Sequence, residues 1–179
     1  AKSFGGSGTE FGNDVAVDSS GNVYTIGMFS DTVDFDPGSG TANLTSNAAY
    51  DVFVSKLDSS GNYVWAKSFG GPEQDQGYGV AVDSSSNVYI TGSYSTDLGV
   101  TVDFDPGPGT ANLSSYGQRG RDTYILKLDS SGNYVWVKSF EKTGDSGSSN
   151  DNASDVAVDS SGNVYTIGYF EGARDVDPG

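Results

Sequence analysis

Apolar residues in this chain come in short runs of Val, Ile, Tyr, Phe and Trp, each bounded by Asp, Ser, Gly and Asn. That pattern marks strands separated by tight turns. Asp14 to Val17 predicts a short first strand, and Val23 to about Phe35 a second with a break near Asp31. Asp51 to Leu57 predicts a third and Tyr63 to Phe69 a fourth. No apolar stripe of helical period lasts three turns, so no helix is expected. In the third strand Val52, Val54 and Lys56 alternate with Phe53, Ser55 and Leu57. Both faces are mostly apolar, so this strand is expected to be covered on both sides.

The same strings return along the chain. DVAVDSSGNVYTIG at Asp14 to Gly27 recurs unchanged at Asp155 to Gly168, with a near copy at Val80 to Gly92. KLDSSGNYVW at Lys56 recurs at Lys127, VDFDPG at Val33 recurs at Val102, and AKSFGG at Ala1 recurs at Ala66. Val17 to Val82 is 65 residues, Lys56 to Lys127 is 71 and Val82 to Val158 is 76. A fixed period of this size marks a repeat architecture.

Within a unit, DSSGN joins the first strand to the second and the third to the fourth. It starts at Asp18, Asp58, Asp129 and Asp159, with DSSSN at Asp83. The Asp carboxylate accepts bonds from the amides ahead of it, and Gly supplies the positive φ that ends a type I turn with a bulge. Ser86 replaces that Gly, so its turn is expected to be strained or differently shaped. Four-stranded antiparallel units buried on both faces against their neighbours are propeller blades. The expected fold class is therefore all-β, with β-propeller blades of about 65–76 residues, just under three of them in this chain. The division is residues 1–70 as an end strand plus the first blade, 71–141 as the second and 142–179 as the first half of a third. Gly179 aligns with Gly38 and Ala1 with Ala66, so a stretch equivalent to residues 39–65 is lacking from a whole set of three units. An incomplete propeller, or part of a longer array, is expected.

VAVDSSGNVY, VDFDPGSGTANLTS and DVFVSKLDSSGNYVWAKSFGG resemble the bacterial beta-propeller repeat (SBBP) family, and DSSGNVY is more distantly similar to NHL-repeat propellers. The resemblance implies blades of a large secreted or surface-attached bacterial protein. It transfers no catalytic residue.

Composition narrows the chemistry. The 179 residues contain no Cys and no His, which excludes a Ser-His-Asp triad, a thiol nucleophile and an ordinary zinc site. The net charge of −15 repels phosphate backbones, so nucleic acid is not an expected partner. No apolar run approaches the roughly 20 residues of a membrane helix, so no membrane insertion is expected. Of 24 acidic residues 20 are Asp.

Asp34 and Asp36, Asp103 and Asp105, and Asp175 and Asp177 form paired carboxylates in the DxDPG loops. Such pairs can hold Ca²⁺ with help from backbone carbonyls. The same residues also build a turn, with Asp before Pro and Gly after it. Asn43, Asn112 and Asn152 stand in N-x-[ST] sequons and are glycosylation candidates in an exported protein. Every acidic cluster recurs in a turn, which argues against an active site, and no catalytic residue is assigned. The function expected is that of a structural or interaction protein, an extracellular segment that self-associates through open blade ends in a surface layer, adhesin or filament. The alternative is a calcium-dependent module that binds a glycan or protein on the propeller rim, where YGQRGR at Tyr116 to Arg121 is a local basic patch absent from the first unit.

Overall fold

A computed structural model describes residues 1–47, 49–95, 101–114, 120–140 and 151–171. All regular structure among them is strand. The first blade contains β2 (Glu10–Val17), β3 (Val23–Phe29), β6 (Asp51–Leu57) and β7 (Tyr63–Phe69), paired antiparallel in that order. The second contains β8 (Gln76–Val82), β9 (Val88–Ser95), β12 (Arg121–Leu128) and β13 (Tyr134–Ser139). A third unit supplies β14 (Asn152–Val158) and β15 (Val164–Tyr169). Between the second and third strands of each full blade lies a small hairpin. It is formed by β4 (Thr32–Asp34) with β5 (Asn43–Thr45), and by β10 (Thr101–Asp103) with β11 (Asn112–Ser114). The first hairpin is joined by β1 (Gly5–Gly6), which pairs with β4. Gly70 makes the equivalent bridge to Asp103 in the second.

The structure departs from the sequence reading at the start of the first strand, at the end of the second and in the shape of the Ser86 turn, where the expected strain is present. The first strand begins at Glu10, four residues before the apolar run, because a bulge between Gly12 and Asp14 lets β2 follow β3 past the turn. The same bulge recurs in β8 and β14. The second strand ends at Phe29 because Asp31 takes φ +60°, and Thr32–Asp34 leaves the sheet for the hairpin. The stretch between the second and third strands is therefore partly paired structure. Finally, the turn at Ser86 keeps the shape of the others. Its amide donates to the Asp83 carbonyl at 2.9 Å, as Gly21 does to Asp18, and Ser86 adopts φ +61° in place of glycine's +80°.

The turn chemistry is the same in all five copies. The Oδ1 atoms of Asp18, Asp58, Asp83, Asp129 and Asp159 each accept two backbone amides, and Oδ2 accepts the Asn side chain that ends the turn. Burial alone pushes the Asp18 carboxyl up. Bonds from Asn22, Tyr24 and Ser86 outweigh it and hold Asp18 well below its ordinary value. The other four carboxyls are also held low, by the Asn and amide bonds of their own turns.

Packing runs through the blades. Tyr24, Ile26, Val52, Val54 and Trp65 of the first blade share one buried cluster with Val80, Val88, Ile90, Leu126 and Leu128 of the second. Polar clamps reinforce this junction. Ser86 Oγ donates to Asp18 Oδ2 at 3.1 Å, Val80 N to Asp14 Oδ2 at 2.9 Å and Asn13 Nδ2 to the Gly77 carbonyl at 2.7 Å. Trp65 Nε1 and Lys56 Nζ both reach the Ser130 carbonyl in a turn of the second blade. The hairpins cover the other end of each sheet. Val33 and Phe35 are fully buried with Phe29 and Phe53, and Phe4 packs on Phe35 and Phe53. Phe69 repeats the role of Phe4 one unit later, against Phe104 and Tyr124.

The Ser86 clamp gives a sharp test. Ser86→Ala keeps the positive φ and loses the bond to Asp18, so urea unfolding is expected to show a loss of about 1–2 kcal/mol. Ser86→Gly loses the same bond but relieves about 1 kcal/mol of backbone strain, so it is expected to lie closer to wild type. The five turn carboxyls have depressed values. They add stability above the ordinary 3.8 and lose it as pH falls through their folded values, so the melting temperature is expected to drop once pH goes below about 4.

Candidate functional site

Each of the two described DxDPG loops is the tip of a hairpin. Asp34 Oδ1 accepts the amides of Asp36 at 3.0 Å and Ala42 at 2.8 Å, which draws the two hairpin ends together. These bonds hold the Asp34 carboxyl below its ordinary value. Asp36 Oδ1 accepts Gly38 N, and a Cβ on Gly40 would fall 2.2 Å from Asp36 Oδ2, so this carboxylate folds back over the loop. Asp103 and Asp105 repeat the geometry on Ala111, Gly107 and Gly109. Asp175 and Asp177 lie outside the described residues. Among the described residues no group of three or more acidic side chains is placed to hold a metal ion. Asn43 and Asn112 are exposed at the starts of β5 and β11, whereas Asn152 opens β14 half-buried with its Oδ1 enclosed.

The ends of the stack carry the largest apolar exposure. Tyr165 is 57% exposed and Ile167 67%, although their counterparts Tyr24 and Ile26 are fully buried against the second blade. At the other end Val15 is 59% exposed, while its counterpart Val80 is 5% exposed against the first blade. Val17 and Phe11 of β2 are exposed beside Val15. The two ends are therefore the opposite halves of one repeated junction. Asp155 Oδ1 accepts the Val156 amide, as Asp14 Oδ1 accepts that of Val15, and Asp155 is exposed.

A cluster without counterpart in the other units sits at the first junction. Arg121 donates to Gln76 Oε1 and to Gln74 Oε1, Tyr78 donates to Gln76, and both Gln side chains approach Met28 Sδ. The equivalent positions of Gln76 and Tyr78 are Phe11 and Asn13 in the first unit and Asn152 and Ser154 in the third. Arg121 was singled out in the sequence only as the end of a basic loop. Its pairing with Gln74 and Gln76 depends on β8 and β12 sharing one blade. Residues 116–119 of that patch lie outside the described residues.

Stacked four-stranded blades with a recurring hairpin, open at complementary faces, define a repeat protein of the propeller class. Residues 4–28 and 64–93 match the SBBP beta-propeller repeat. It is also similar to an uncharacterized WD repeat-containing protein of Acanthamoeba polyphaga mimivirus. There the identity is 27% over 165 residues, 89% of this chain and 11% of that protein. The regulatory protein FlaEY of Caulobacter vibrioides is 29% identical over 121 residues, 67% of this chain and 13% of that protein. The chain thus spans a small fraction of the length of either relative. Fold and matches agree on a repeat protein.

Calcium in the hairpin tips has a direct test. If the Asp34–Asp36 and Asp103–Asp105 pairs hold it, the melting temperature rises with millimolar Ca²⁺ over EDTA, and Asp36→Asn with Asp105→Asn removes the rise. Equal melting temperatures would leave these acids with their turn-building role alone.

Proposed function

We propose that this chain is a self-recognising stacking segment, in which each end face docks a further blade of the same kind to build a surface-exposed scaffold or filament. The carrying observation is the complementarity of the ends. Tyr165 and Ile167 present what Tyr24 and Ile26 present to the second blade, and Val15 and Val17 present what the second blade offers in return. Covering one such junction removes at least four large apolar side chains from water, worth roughly 2 kcal/mol each. That sum is comparable with the entropic cost of association. Polar clamps such as Asp14 to Val80, with Asp155 as the counterpart at the open end, would therefore decide register and tip the balance.

An extracellular setting fits the net charge of −15 and loops rich in Asp, Ser, Gly and Asn. Light scattering on residues 1–179 is expected to show concentration-dependent assemblies in multiples of 18.6 kDa. Ile167→Asp or Val15→Asp is expected to return the monomer while leaving the strand circular dichroism unchanged. A wild-type chain that stays monomeric at high concentration would sink the reading.

A further inference from the structure

The junction between the first and second blades encloses two carboxylates that the core packing does not explain. Asp51 opens β6 and Asp75 stands just ahead of β8, and both are 1% exposed. They converge on Gly70, the residue that follows β7. A Cβ placed there would lie 2.5 Å from Asp51 Oδ1 and 3.0 Å from Asp75 Oδ2. Glycine at this point is what lets the two acids approach.

Their hydrogen bonding is unequal. Asp51 Oδ2 accepts the backbone and side-chain nitrogens of Asn47 at 2.9 and 3.1 Å. Asp75 Oδ2 accepts Gly71 N at 2.6 Å, and Asp75 Oδ1 accepts Ser95 N at 3.2 Å. Asp51 Oδ1 is buried and accepts no hydrogen bond. A buried anionic oxygen without a donor is strongly disfavoured, so a proton or cation belongs at this place. The charged and titratable groups around Asp75 are Asp51 on β6, Arg121 and Tyr124 on β12, and Tyr78 on β8. Arg121 pulls Asp75 down, but burial outweighs it, and the Arg121 Nη1 and Nη2 donors go to Gln76 and Gln74.

We propose that Asp51 and Asp75 form a proton-binding site across the first blade junction, so that the junction tightens as the pair takes up a proton and loosens as it loses it. The occupied form has Asp75 neutral, with its O–H available to the donor-starved Asp51 oxygen. Full ionisation leaves two like charges enclosed at one point. Burial first, and the neighbouring Asp51 charge second, push Asp75 up to about 7, and burial also pushes Asp51 up. The sign of the linkage follows. A folded-state value above the unfolded 3.8 gives stability that is fully present below pH 3.8 and is lost as pH rises through about 7. This opposes the turn carboxyls, which lose stability only below about pH 4. Glu10 occupies the Asp75 position in the first unit, with its Oε2 3.6 Å from a Cβ on Gly5, and Asp151 occupies it in the third.

The test is a carboxyl titration by carbon-detected NMR on the whole chain, together with melting curves from pH 4 to 9. One Asp carboxyl is expected to titrate near pH 7 and to move lower in Asp51→Asn. The wild-type melting temperature is expected to fall by several degrees between pH 4 and about 7 and to level off above it. Asp75→Asn is expected to melt higher than wild type at pH 8 and to lose most of that fall, which separates this site from the general relief of negative charge in acid. If no carboxyl titrates above pH 6, or if Asp75→Asn keeps the full pH dependence, the proposal fails. Stabilisation at pH 8 by Ca²⁺ that disappears in Asp75→Asn would also overturn it, in favour of a cation site. The wild-type titration alone decides the matter if the variants do not fold.

Discussion

A four-stranded sheet with apolar residues on both faces has no stable place at a surface. In the first blade the alternating sets of β3 and β6 are both buried: Tyr24, Ile26, Val52 and Val54 in one cluster, Phe29 and Phe53 in another. Each set needs its own cover. The first is covered by the neighbouring blade. The second is covered by the hairpin of the same unit, whose Val33 and Phe35 are fully buried, and by Phe4 just ahead of β1. Unit therefore depends on unit in both directions, as expected of a quasi-linear repeat array. The exposed Tyr165, Ile167, Val15 and Val17 are the same constraint left unsatisfied.

The acidity of the chain serves this stacking more than it advertises a site. Asp reaches its own following amides, where Glu would overshoot, so the five DSSGN-type turns and the two described DxDPG loops use Asp carboxylates as hydrogen-bond acceptors. Asp18 extends the use from turn to junction, since one of its oxygens also accepts Tyr24 and, from the next blade, Ser86. Exchange of Gly for Ser at 86 costs backbone strain but adds a side chain that can reach across. Gly79 is the reverse case. It replaces the Asp found at 14 and 155, and a Cβ there would lie 2.8 Å from the Asp155 Cα, so the third unit meets bare backbone. Neighbouring junctions built from near-identical sequence are thus not identical.

The strands were legible in the sequence because period-two alternation and Asp-Ser-Gly punctuation recur. The third and fourth strands match their apolar runs at both ends. The turn at Asp31 was also visible, as a polar residue interrupting an apolar stretch. The hairpin strands β5 and β11 were not, because Asn-Leu-Thr and Asn-Leu-Ser are too short and too polar to carry a strand signal. Their pairing is imposed by Asp34 and Asp103, whose carboxylates fasten amides eight residues further along.

The sequence by itself determined the unit, its turns and the two-sided burial, since all three are local patterns repeated along the chain. The tertiary structure decided which atoms meet between units. Asp51 and Asp75 are 24 residues apart, and no local pattern links them. Only the fold of one blade against the next brings them to Gly70, with β12 carrying Arg121 past them to two glutamines. Alternation fixes which face a side chain takes, but the spacing between blades, set by packing of whole sheets, fixes what it finds there.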